Sequence, residues 1–340
     1  MTKVAVVILN YNGRKFLEEF LPNVIENTPR DIAEIIVADN KSTDDSVEFM
    51  QKNHPDIRLI INSENGGFST GYNQALRQVE AEYFVLLNSD IEVTPNWIQP
   101  VVEFMDSDKA IATCQPKLLS YYDRDKFEYA GAAGGYIDKY GYPFCRGRMF
   151  QSLEADNGQY DDAVEVFWAT GACMFVRAEY YLENGGLDDS FFAHMEEIDF
   201  CWRMKNLGYK NMYCPASKVY HIGGGTLPKQ SSRKTFLNFR NNLSLLMKNL
   251  PKGKVFTTIV YRIVLDWVAA LSFLAEGNKG DFCAVFRAHF EFYKRIPKIR
   301  KARRQSTHNK VSCIYQRNIV FEYHLRKKHK FSDLKQNLFS

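Results

Sequence analysis

The chain has 340 residues, of which 45% are hydrophobic and 25% are charged, so it has enough apolar sequence for a large core, which argues against disorder as its main state. That length favours one large α/β domain with an appended region. The seven cysteines are scattered and form no Cys-x-x-Cys pair, which argues against a zinc ribbon or disulfide scaffold and for reduced thiols in a cytosolic protein.

Charge is divided unevenly along the sequence. Residues 1–228 carry 20 Lys and Arg against 34 Asp and Glu, a net charge of −14, whereas residues 229–340 carry 24 against 6, a net charge of +18. A basic region of that size favours contact with phosphates, of either nucleic acid or an anionic membrane leaflet. The N-terminus runs directly into a strand-like segment, so we expect no signal peptide.

Four apolar segments, at 4–9, 35–38, 59–61 and 84–87, are typical of buried strands, and the stretches between them carry helical spacing, which predicts a doubly wound sheet. Three of these strands end in polar residues: Asn10, Asp39 and the triplet 88–90. Right-handed crossovers bring such ends to one edge of the sheet, where ligands bind in open α/β folds. The alternative is that each forms an ordinary Asx turn.

A glycine-rich stretch at 65–73 lies between the third and fourth strands and leads into a helix expected from Gln74. Adjacent glycines let the backbone approach a ligand closely, although Gly-Gly also makes plain turns. The chain has no G-x-G-x-x-G after its first strand and no Walker lysine motif, which argues against a dinucleotide-binding fold and a P-loop ATPase.

The segment from about 110 to 165 is rich in Tyr and Gly and reads as a long irregular connection, with a hairpin or lid and its most flexible part at 130–136. Strand character returns at 167–176. The small residues in the middle of that segment permit close packing or leave room for a substrate.

An acidic cluster, Glu196, Glu197 and Asp199, is expected in the first turn of a helix that buries Ile198, Cys201, Trp202 and Leu207. The helix dipole favours acids there, so charge compensation is one interpretation. The other is that repulsion among three carboxylates raises at least one pKa and prepares a general base.

A predicted short strand ends at His221, followed by three glycines at 223–225 that leave the imidazole accessible. A single histidine more often has a structural role. The alternative is a metal site shared with Asp90.

Taken together, these motifs resemble family 2 glycosyltransferases, and more narrowly a bacterial rhamnosyltransferase-like branch with the GT-A fold. The resemblance covers about residues 3–250. The matching motifs are Asn10-Tyr11-Asn12, Asp39-Asn40-x-Ser42-Thr43-Asp44, Asn65-Gly66-Gly67-Phe68 with Gly71 and Asn73, Asn88-x-Asp90, Thr170-Gly171-Ala172, Glu196-Glu197-x-Asp199 with Arg203, and His221 with its glycines.

The resemblance implies a Rossmann-like mixed sheet flanked by helices. It also implies inverting, metal-dependent transfer of a sugar from a dTDP- or UDP-sugar to a hydroxyl of a glycan. Rhamnose and a lipid-linked glycan acceptor, in cell-surface polysaccharide synthesis, are the expected substrates. A nucleotide-sugar-binding or membrane-scaffold protein without transferase activity is the alternative function, and nucleotidyl transfer is a competing enzyme class.

The same resemblance assigns roles to individual residues. Asp90 and His221 would hold Mg²⁺ or Mn²⁺. Glu197 would be the general base, with Glu196 as rival and Asp199 in support. The nucleotide-binding residues would be Asn10, Tyr11, Asn12, Asp39, Asn65, Gly66, Gly67, Asn73, Asn88 and Ser89, and the acceptor or sugar pocket would include Trp168, Thr170, Gly171 and Ala172. Two positions depart from the family pattern, because Asn88 replaces the first Asp of D-x-D and Glu197 stands where Asp is usual.

We expect a catalytic domain at 1–228, with a nucleotide-binding half to about residue 110 and an acceptor half at 111–228, and a basic, mainly helical region at 229–340. Residues 255–275 are apolar, but Arg262 and Asp266 interrupt them at i, i+4 spacing, which favours an in-plane or packed helix over a membrane span. Basic runs interleaved with aromatics follow, and they suit an anionic membrane surface better than nucleic acid. The expected location is peripheral, on the inner face of the cytoplasmic membrane.

Overall fold

The computed structural model describes residues 2–223 and 231–340, and these form a large mixed sheet, a second small sheet and ten α-helices among the described residues. The strands are β1 (Thr2–Asn10), β2 (Ala33–Asp39), β3 (Arg58–Ile61), β4 (Ala81–Asn88), β5 (Ile91–Val93), β6 (Ile111–Ser120), β7 (Gly135–Asp138), β8 (Pro143–Cys145), β9 (Arg148–Met149), β10 (Ser152–Leu153), β11 (Val164–Val166), β12 (Cys173–Arg177), β13 (Lys210–His221) and β14 (Ile314–Tyr315). The helices are α1 (Arg14–Asn27), α2 (Ser46–Asn53), α3 (Gly67–Leu76), α4 (Gln99–Ser107), α5 (Ala178–Glu183), α6 (Glu196–Asn206), α7 (Ser232–Asn249), α8 (Val255–Ala275), α9 (Lys279–Arg304) and α10 (Ile319–His324).

The large sheet has the order β11-β13-β6-β12-β4-β1-β2-β3, with β5 paired to β13. Strand β1 pairs in parallel with β2 and β4, and β2 pairs in parallel with β3. Strand β12 lies between β4 and β6 and is antiparallel to both. Alternate residues of β1 enter opposite cores: Val4, Val6 and Ile8 face α1, α2 and α4, while Ala5 and Val7 face α3, α5 and α6. The predicted mixed sheet with helices on both faces is confirmed.

The prediction of a long irregular connection at 110–165 was wrong. Strand β6 is a buried member of the large sheet, and β7 to β10 form a second sheet in the order β10-β9-β8-β7-β14. The expected hairpin exists, but residues 130–136 are not its loosest part, because Ala132 and Ala133 are fully buried. Small residues at these positions allow close packing of the two sheets, which local composition does not distinguish from a flexible loop.

The segment predicted as one strand at 167–176 is divided. Strand β11 ends at Val166, residues 167–172 are buried and include an isolated bridge from Trp168 to Gly135, and β12 begins at Cys173. Helix α6 starts at Glu196 as expected and buries Ile198, Cys201 and Trp202. Leu207, by contrast, is exposed because it lies beyond the last turn, where the apolar stripe has rotated out of the core.

The C-terminal region is mainly helical, as predicted, but it also belongs to the small sheet. Strand β14 pairs with β7 in parallel, and the backbone N–H of Cys313 donates to the carbonyl oxygen of Ser340 at 3.0 Å. Helix α7 packs on α6 through Lys248 and Asn249, which both bond Asp199. The division at residue 228 stays a prediction, and it separates parts that share one sheet.

Candidate active site

The polar strand ends meet at one edge of the large sheet. Asn10 and Asp39 are paired in register between β1 and β2, and Leu9 is paired with Asn88 of β4. The Asn10 amide donates from Nδ2 to Asp39 Oδ2 at 3.1 Å. Parallel strands with adjacent register therefore produce the convergence that the sequence predicted.

The loops after β1 and β2 are tied together on the predicted nucleotide side. Asn12 has a left-handed backbone with φ of 51°, and its Oδ1 accepts from the Thr43 N–H at 2.7 Å. Tyr11 is partly exposed beside it, whereas Asp39 is buried and its Oδ1 accepts from the Ser42 N–H at 2.8 Å. The Asp39 carboxylate thus already has two protein donors, and its contact with a base stays a prediction.

The glycine-rich stretch is helical rather than a loop, which corrects the expectation that the helix starts at Gln74. Helix α3 begins at Gly67, and Asn65 accepts from the Gly67 N–H at 3.0 Å through Oδ1. Gly67 has φ of +83°, and a Cβ there would lie 2.4 Å from the Phe192 carbonyl oxygen. Close approach of the 192 segment, and not only of a ligand, therefore requires this glycine. Gly66 precedes the helix and packs against Thr70.

Asn73 lies further along α3, and its side chain forms hydrogen bonds within the protein. Its Nδ2 donates to the Leu187 carbonyl oxygen at 2.7 Å and to Asp189 Oδ1 at 2.8 Å, while its Oδ1 accepts from the Tyr181 hydroxyl at 2.8 Å. The side chain is buried. The structure therefore places Asn73 as a brace for the segment after α5 and not at the nucleotide edge.

Asp90 and His221 lie together where β4 ends and β13 ends. His221 Nε2 is 3.2 Å from Asp90 Oδ1 and 3.4 Å from the Asn88 amide nitrogen. On its other side, His221 Nδ1 is 3.4 Å from Glu128 Oε2. Gly223 follows in the described chain, and the expected glycines 224 and 225 lie outside the described residues. Ser89 completes the turn and lies beside the loop at Gly13.

His221 is an imidazole enclosed by carboxylates. Burial lowers its pKa, but the charges of Glu128 and Asp90 outweigh burial and raise the pKa to about 10. Without a cation at this position, the charged ring therefore lies between the two carboxylates. Glu128, which faces Nδ1, is a residue that the sequence reasoning missed, because it comes from a connection with no periodic pattern.

The side chains of Asp90 and His221 suit a divalent cation whose remaining coordination positions are filled by substrate oxygens. In the described ranges 2–223 and 231–340, no group of three His, Cys, Asp or Glu has the geometry of a metal cage. Asp90 and His221 nevertheless present one oxygen and one nitrogen at the same point. Mg²⁺ usually takes one or two carboxylates and fills its remaining positions with phosphate oxygens and water, so two protein ligands are sufficient.

Two adjacent carboxyl groups begin α6. Glu196 Oε2 and Glu197 Oε2 are both buried without a hydrogen-bond partner among the described residues. Burial raises the pKa of Glu197 to about 7, and burial followed by the charge of Glu197 raises the pKa of Glu196 well above its usual range. Burial, more than the repulsion expected from the sequence, thus prepares Glu197 to exchange a proton near neutral pH.

Glu197 faces the small residues before β12. A Cβ added to Gly171 would lie 3.8 Å from Glu197 Cβ and 3.0 Å from the ring of Phe68. The next residue, Ala172, accepts from the Asn88 N–H through its carbonyl oxygen at 2.9 Å. Gly171 and Ala172 therefore connect the acidic helix with the strand end that carries Asp90. Thr170 is buried beside them and donates to the Ala130 carbonyl oxygen at 2.7 Å.

Two predicted site residues are turned into the protein. Trp168 is buried against Gly135, and its Nε1 donates to the Tyr136 carbonyl oxygen at 3.0 Å, so the structure does not bring it to the pocket. Asp199 is fully buried and accepts from Arg203, Lys248 and Asn249 at 2.8 Å each. Asp199 can support catalysis only by fixing α6 against α7.

The segment that leads into α6 is strained and firmly held. Phe192, His194 and Met195 all have positive φ, between 68° and 74°. Asn241 of α7 donates from Nδ2 to the carbonyl oxygens of Phe191, Ala193 and His194 at 2.7–3.0 Å. Left-handed non-glycine residues cluster at functional sites when the surroundings enforce them. Asn241 was missed by sequence reasoning, and its only signal is an amide on the buried face of a helix.

Comparison with known proteins supplies the assignment for this geometry. The model for "Glycosyl transferase family 2" matches residues 5–178, which is half of the chain and includes β1 to β12. The chain belongs to glycosyl transferase family 2. It is a glycosyltransferase that takes a sugar from a nucleotide donor.

Curated relatives of this glycosyltransferase include three bacterial or archaeal enzymes. The N-acetylglucosaminyl-diphospho-decaprenol L-rhamnosyltransferase of Mycobacterium tuberculosis is 24% identical over 64% of this chain and 75% of its own length. The low-salt glycan biosynthesis hexosyltransferase Agl10 of Haloferax volcanii is 25% identical over 76% of this chain and 78% of its own. Rhamnosyltransferase WbbL of Escherichia coli is 24% identical over 64% and 83%.

Solved structures show the same fold in other glycosyltransferases. GalNAc-T7 with UDP, GalNAc and Mn²⁺ superposes with a TM-score of 0.58 at 16% identity, covering 88% of this chain and 58% of that one. The mannosyltransferase PcManGT from Pyrobaculum calidifontis, in complex with GDP-Man and Mn²⁺, has a TM-score of 0.51 at 17% identity, covering 89% and 84%. The GT-A fold expected from the sequence is confirmed.

Proposed function

We propose that this glycosyltransferase moves a sugar, with rhamnose as the first candidate, from a dTDP- or UDP-sugar to a hydroxyl of a glycan, with inversion at the anomeric carbon. A lipid-linked glycan is the proposed acceptor, in cell-surface polysaccharide synthesis. The observation that carries the proposal is the 3.2 Å pair of Asp90 and His221, joined through Asn88, Ala172 and Gly171 to Glu197, whose Oε2 has no hydrogen-bond partner among the described residues. The rhamnosyltransferases among its relatives support the choice of sugar.

The proposed chemistry separates two tasks at the site. A divalent cation, Mg²⁺ or Mn²⁺, held by Asp90 and His221 would neutralise the negative charge of a departing diphosphate. Glu197 takes the proton of the acceptor hydroxyl as its oxygen attacks the anomeric carbon. Attack from the face opposite the diphosphate forms the new carbon–oxygen bond as the sugar–phosphate bond breaks, so a single displacement inverts the configuration. Asn88 and Ser89 lie beside the donor phosphates in this arrangement.

A panel of UDP-, dTDP- and GDP-sugars tests the function directly. We expect nucleoside diphosphate release with one of the first two classes in Mn²⁺ or Mg²⁺, and none in EDTA, because the departing diphosphate then lacks its counter-charge. The measurement is coupled detection of the released nucleotide, with the protein heated beforehand as the blank. If no donor is consumed with either metal, and donors bind all the same, the alternative of a binding protein without transferase activity replaces the proposal.

The same proposal includes a peripheral membrane location, on the inner face of the cytoplasmic membrane. Among the described residues, the helical segment Lys252–Ala275 is long and apolar enough to cross a membrane, with a mean hydropathy of 1.6. Its two central charged residues are buried and form ion pairs within the protein. Arg262 pairs with Asp266 at 3.1 Å, and Asp266 pairs with His289 of α9 at 3.1 Å. The opposite face is apolar and exposed, and includes Phe256, Val260, Val264, Trp267, Val268 and Leu271.

A helix with buried charges and an outward apolar face suits the plane of a leaflet better than a span. Crossing the bilayer would expose Arg262 and Asp266 to lipid at a cost of about 2.5–3.5 kcal/mol each. Lying in the interface inserts only the apolar face, and each Lys or Arg of the following basic helices near an anionic surface adds about 1 kcal/mol.

Sedimentation with liposomes measures this association. We expect the chain to sediment with vesicles of anionic lipid at low salt and to be released at high salt, since screening weakens the basic contribution. Neutral phosphatidylcholine vesicles are the control and should retain less protein. Retention that does not respond to salt contradicts the peripheral arrangement.

A further inference from the structure

A basic cavity lies next to the strained segment that precedes helix α6. It has a volume of about 840 Å³ and is enclosed by residues 188–192, α7 and α9. A cavity of this size is large enough for a sugar phosphate or a diphosphate ester. It is separate from the Asp90 and His221 pair, neither of which lines it.

Cations dominate the cavity wall. Six basic side chains line it against the two carboxylates Asp188 and Asp189: Arg233, Arg240, Lys248, Arg287, Arg295 and Lys298. Lys248 is neutralised by Asp188 and Asp199, and Arg295 by Glu291. In the part of the chain that the structure describes, the other four form no ion pair with a carboxylate.

The guanidinium groups crowd one another. Arg240 and Arg295 both donate to the Ser190 carbonyl oxygen, at 3.5 and 2.6 Å. Arg240 and Arg287 both lie over the ring of Phe236, at 5.2 and 5.6 Å from its centre. Arg240 is buried, and burial together with the charge of Arg295 lowers its pKa to about 10. Arg240 is therefore a buried cation among like charges, while Arg233, Arg287 and Lys298 are exposed cations of the same cavity, and a bound anion would offset their mutual repulsion.

The cavity also has an apolar side next to the apolar surface of the C-terminal helices. Phe236, Leu237 and Ile299 contribute to its wall. On α9 the exposed Phe286 directly precedes the cavity residue Arg287, and the exposed Phe290 lies three residues after it. A ligand with a phosphate head and an apolar chain would therefore find both environments within one region.

The cavity is connected to the proposed acceptor site near Glu197 through Phe192 and Phe68. Phe192 lines it, and the Phe192 carbonyl oxygen accepts from the Phe68 N–H at 2.7 Å, while the Phe68 ring lies against Gly171 beside Glu197. The donor diphosphate belongs at Asp90 and His221 in the proposed function, so an anion on the Glu197 side belongs to the other substrate.

We propose that this cavity binds a phosphate group of the acceptor, most simply the diphosphate that joins a glycan to its lipid carrier. The inference rests on the proposed function. Arg233, Arg240, Arg287 and Lys298 supply the charge-assisted hydrogen bonds, and Phe236 and Ile299 contact the apolar portion. The cavity would hold the acceptor so that its hydroxyl reaches Glu197.

Calorimetric titration of the full chain with inorganic pyrophosphate in EDTA tests the site, because EDTA suppresses binding that depends on the metal pair. We expect saturable binding by the unmodified chain and a loss of about tenfold or more in affinity for the double variant Arg287→Gln/Lys298→Gln, since it removes two of the cations that would bond the pyrophosphate. The matched control is Arg300→Gln/Lys301→Gln, which removes the same charge from exposed positions of α9 outside the cavity. Thermal unfolding of both variants confirms that they are folded.

The outcomes separate the proposals. Equal affinities for both double variants, or no binding by the unmodified chain, overturn the phosphate site even if the donor panel shows turnover. The expected pattern of binding without any donor turnover supports the site and overturns the transferase function.

Vesicles distinguish the source of the phosphate. Phosphatidylcholine vesicles that contain a polyprenyl phosphate should retain more protein than plain vesicles, and pyrophosphate should compete for the excess. Equal retention overturns the lipid-linked form of the acceptor and leaves a soluble phosphorylated glycan.

Discussion

Replacing Glu197 by glutamine is expected to lower the rate of sugar transfer by about 10²–10⁴, the contribution of a positioned general base. The amide keeps the size of the side chain but cannot take the acceptor's proton. Donor affinity should change little, because Glu197 faces Gly171 rather than the Asp90 side. Initial rates at saturating donor, together with donor binding, measure the two effects separately.

The pH dependence of the transfer rate is an independent test of the role of Glu197. The unprotonated carboxylate is the active form, and burial raises the Glu197 pKa to about 7. The transfer rate should therefore rise with pH up to about 7 and level off above it. Glu196→Gln is the matched control, because Glu196 is the neighbouring buried carboxyl group and burial raises its pKa well above its usual range. A larger loss in Glu196→Gln than in Glu197→Gln would move the base to Glu196.

Asp90→Asn is expected to abolish most metal-dependent turnover, by about 10² or more, because an amide is a much weaker ligand for a hard divalent cation and polarising the diphosphate contributes several kcal/mol. Activity as a function of Mn²⁺ concentration, and Mn²⁺ binding followed by electron paramagnetic resonance, provide the measurement. His221→Ala should show the same direction of change.

Two further variants define what the Asp90 result means. Asn88→Asp restores a second carboxylate 3.4 Å from His221 and should raise Mn²⁺ affinity, since the present site lacks that charge. Trp168→Phe changes a buried core residue that does not contact Asp90 or His221, and it serves as the control for a change in packing alone. Unchanged Mn²⁺ binding and turnover in Asp90→Asn would disprove the metal assignment.

Much of the sheet edge could be predicted because its causes are local. A continuous β-branched run such as 4–9 is typical of a strand buried on both faces, and parallel strands place their last residues together. The pairing of Asn10 with Asp39 follows from these two facts. The start of α6 at Glu196 follows from the preference of acids for a first helical turn.

What could not be predicted depends on contacts between distant residues. The pairing of β7 with β14 joins positions 137 and 314, and no local pattern indicates such a partner. Gly67 lies in a stretch whose composition is typical of a loop, and only the folded chain places Phe192 where a Cβ on Gly67 would be. The raised pKa of Glu197 results from burial beneath neighbouring elements, whereas the sequence showed only the nearby charges.

The pairing of β14 has a practical consequence for how the enzyme is cut. Cys313 and Ile314 form backbone hydrogen bonds with Ser340 at 3.0 Å, and Ile314–Tyr315 is the edge strand beside β7. A chain shortened to the family-matched region would leave β7 as an open edge and uncover Tyr136 and Phe144, which Phe331 and Phe339 now cover. Open apolar edges promote aggregation. Truncation to the family-matched region should therefore yield insoluble protein.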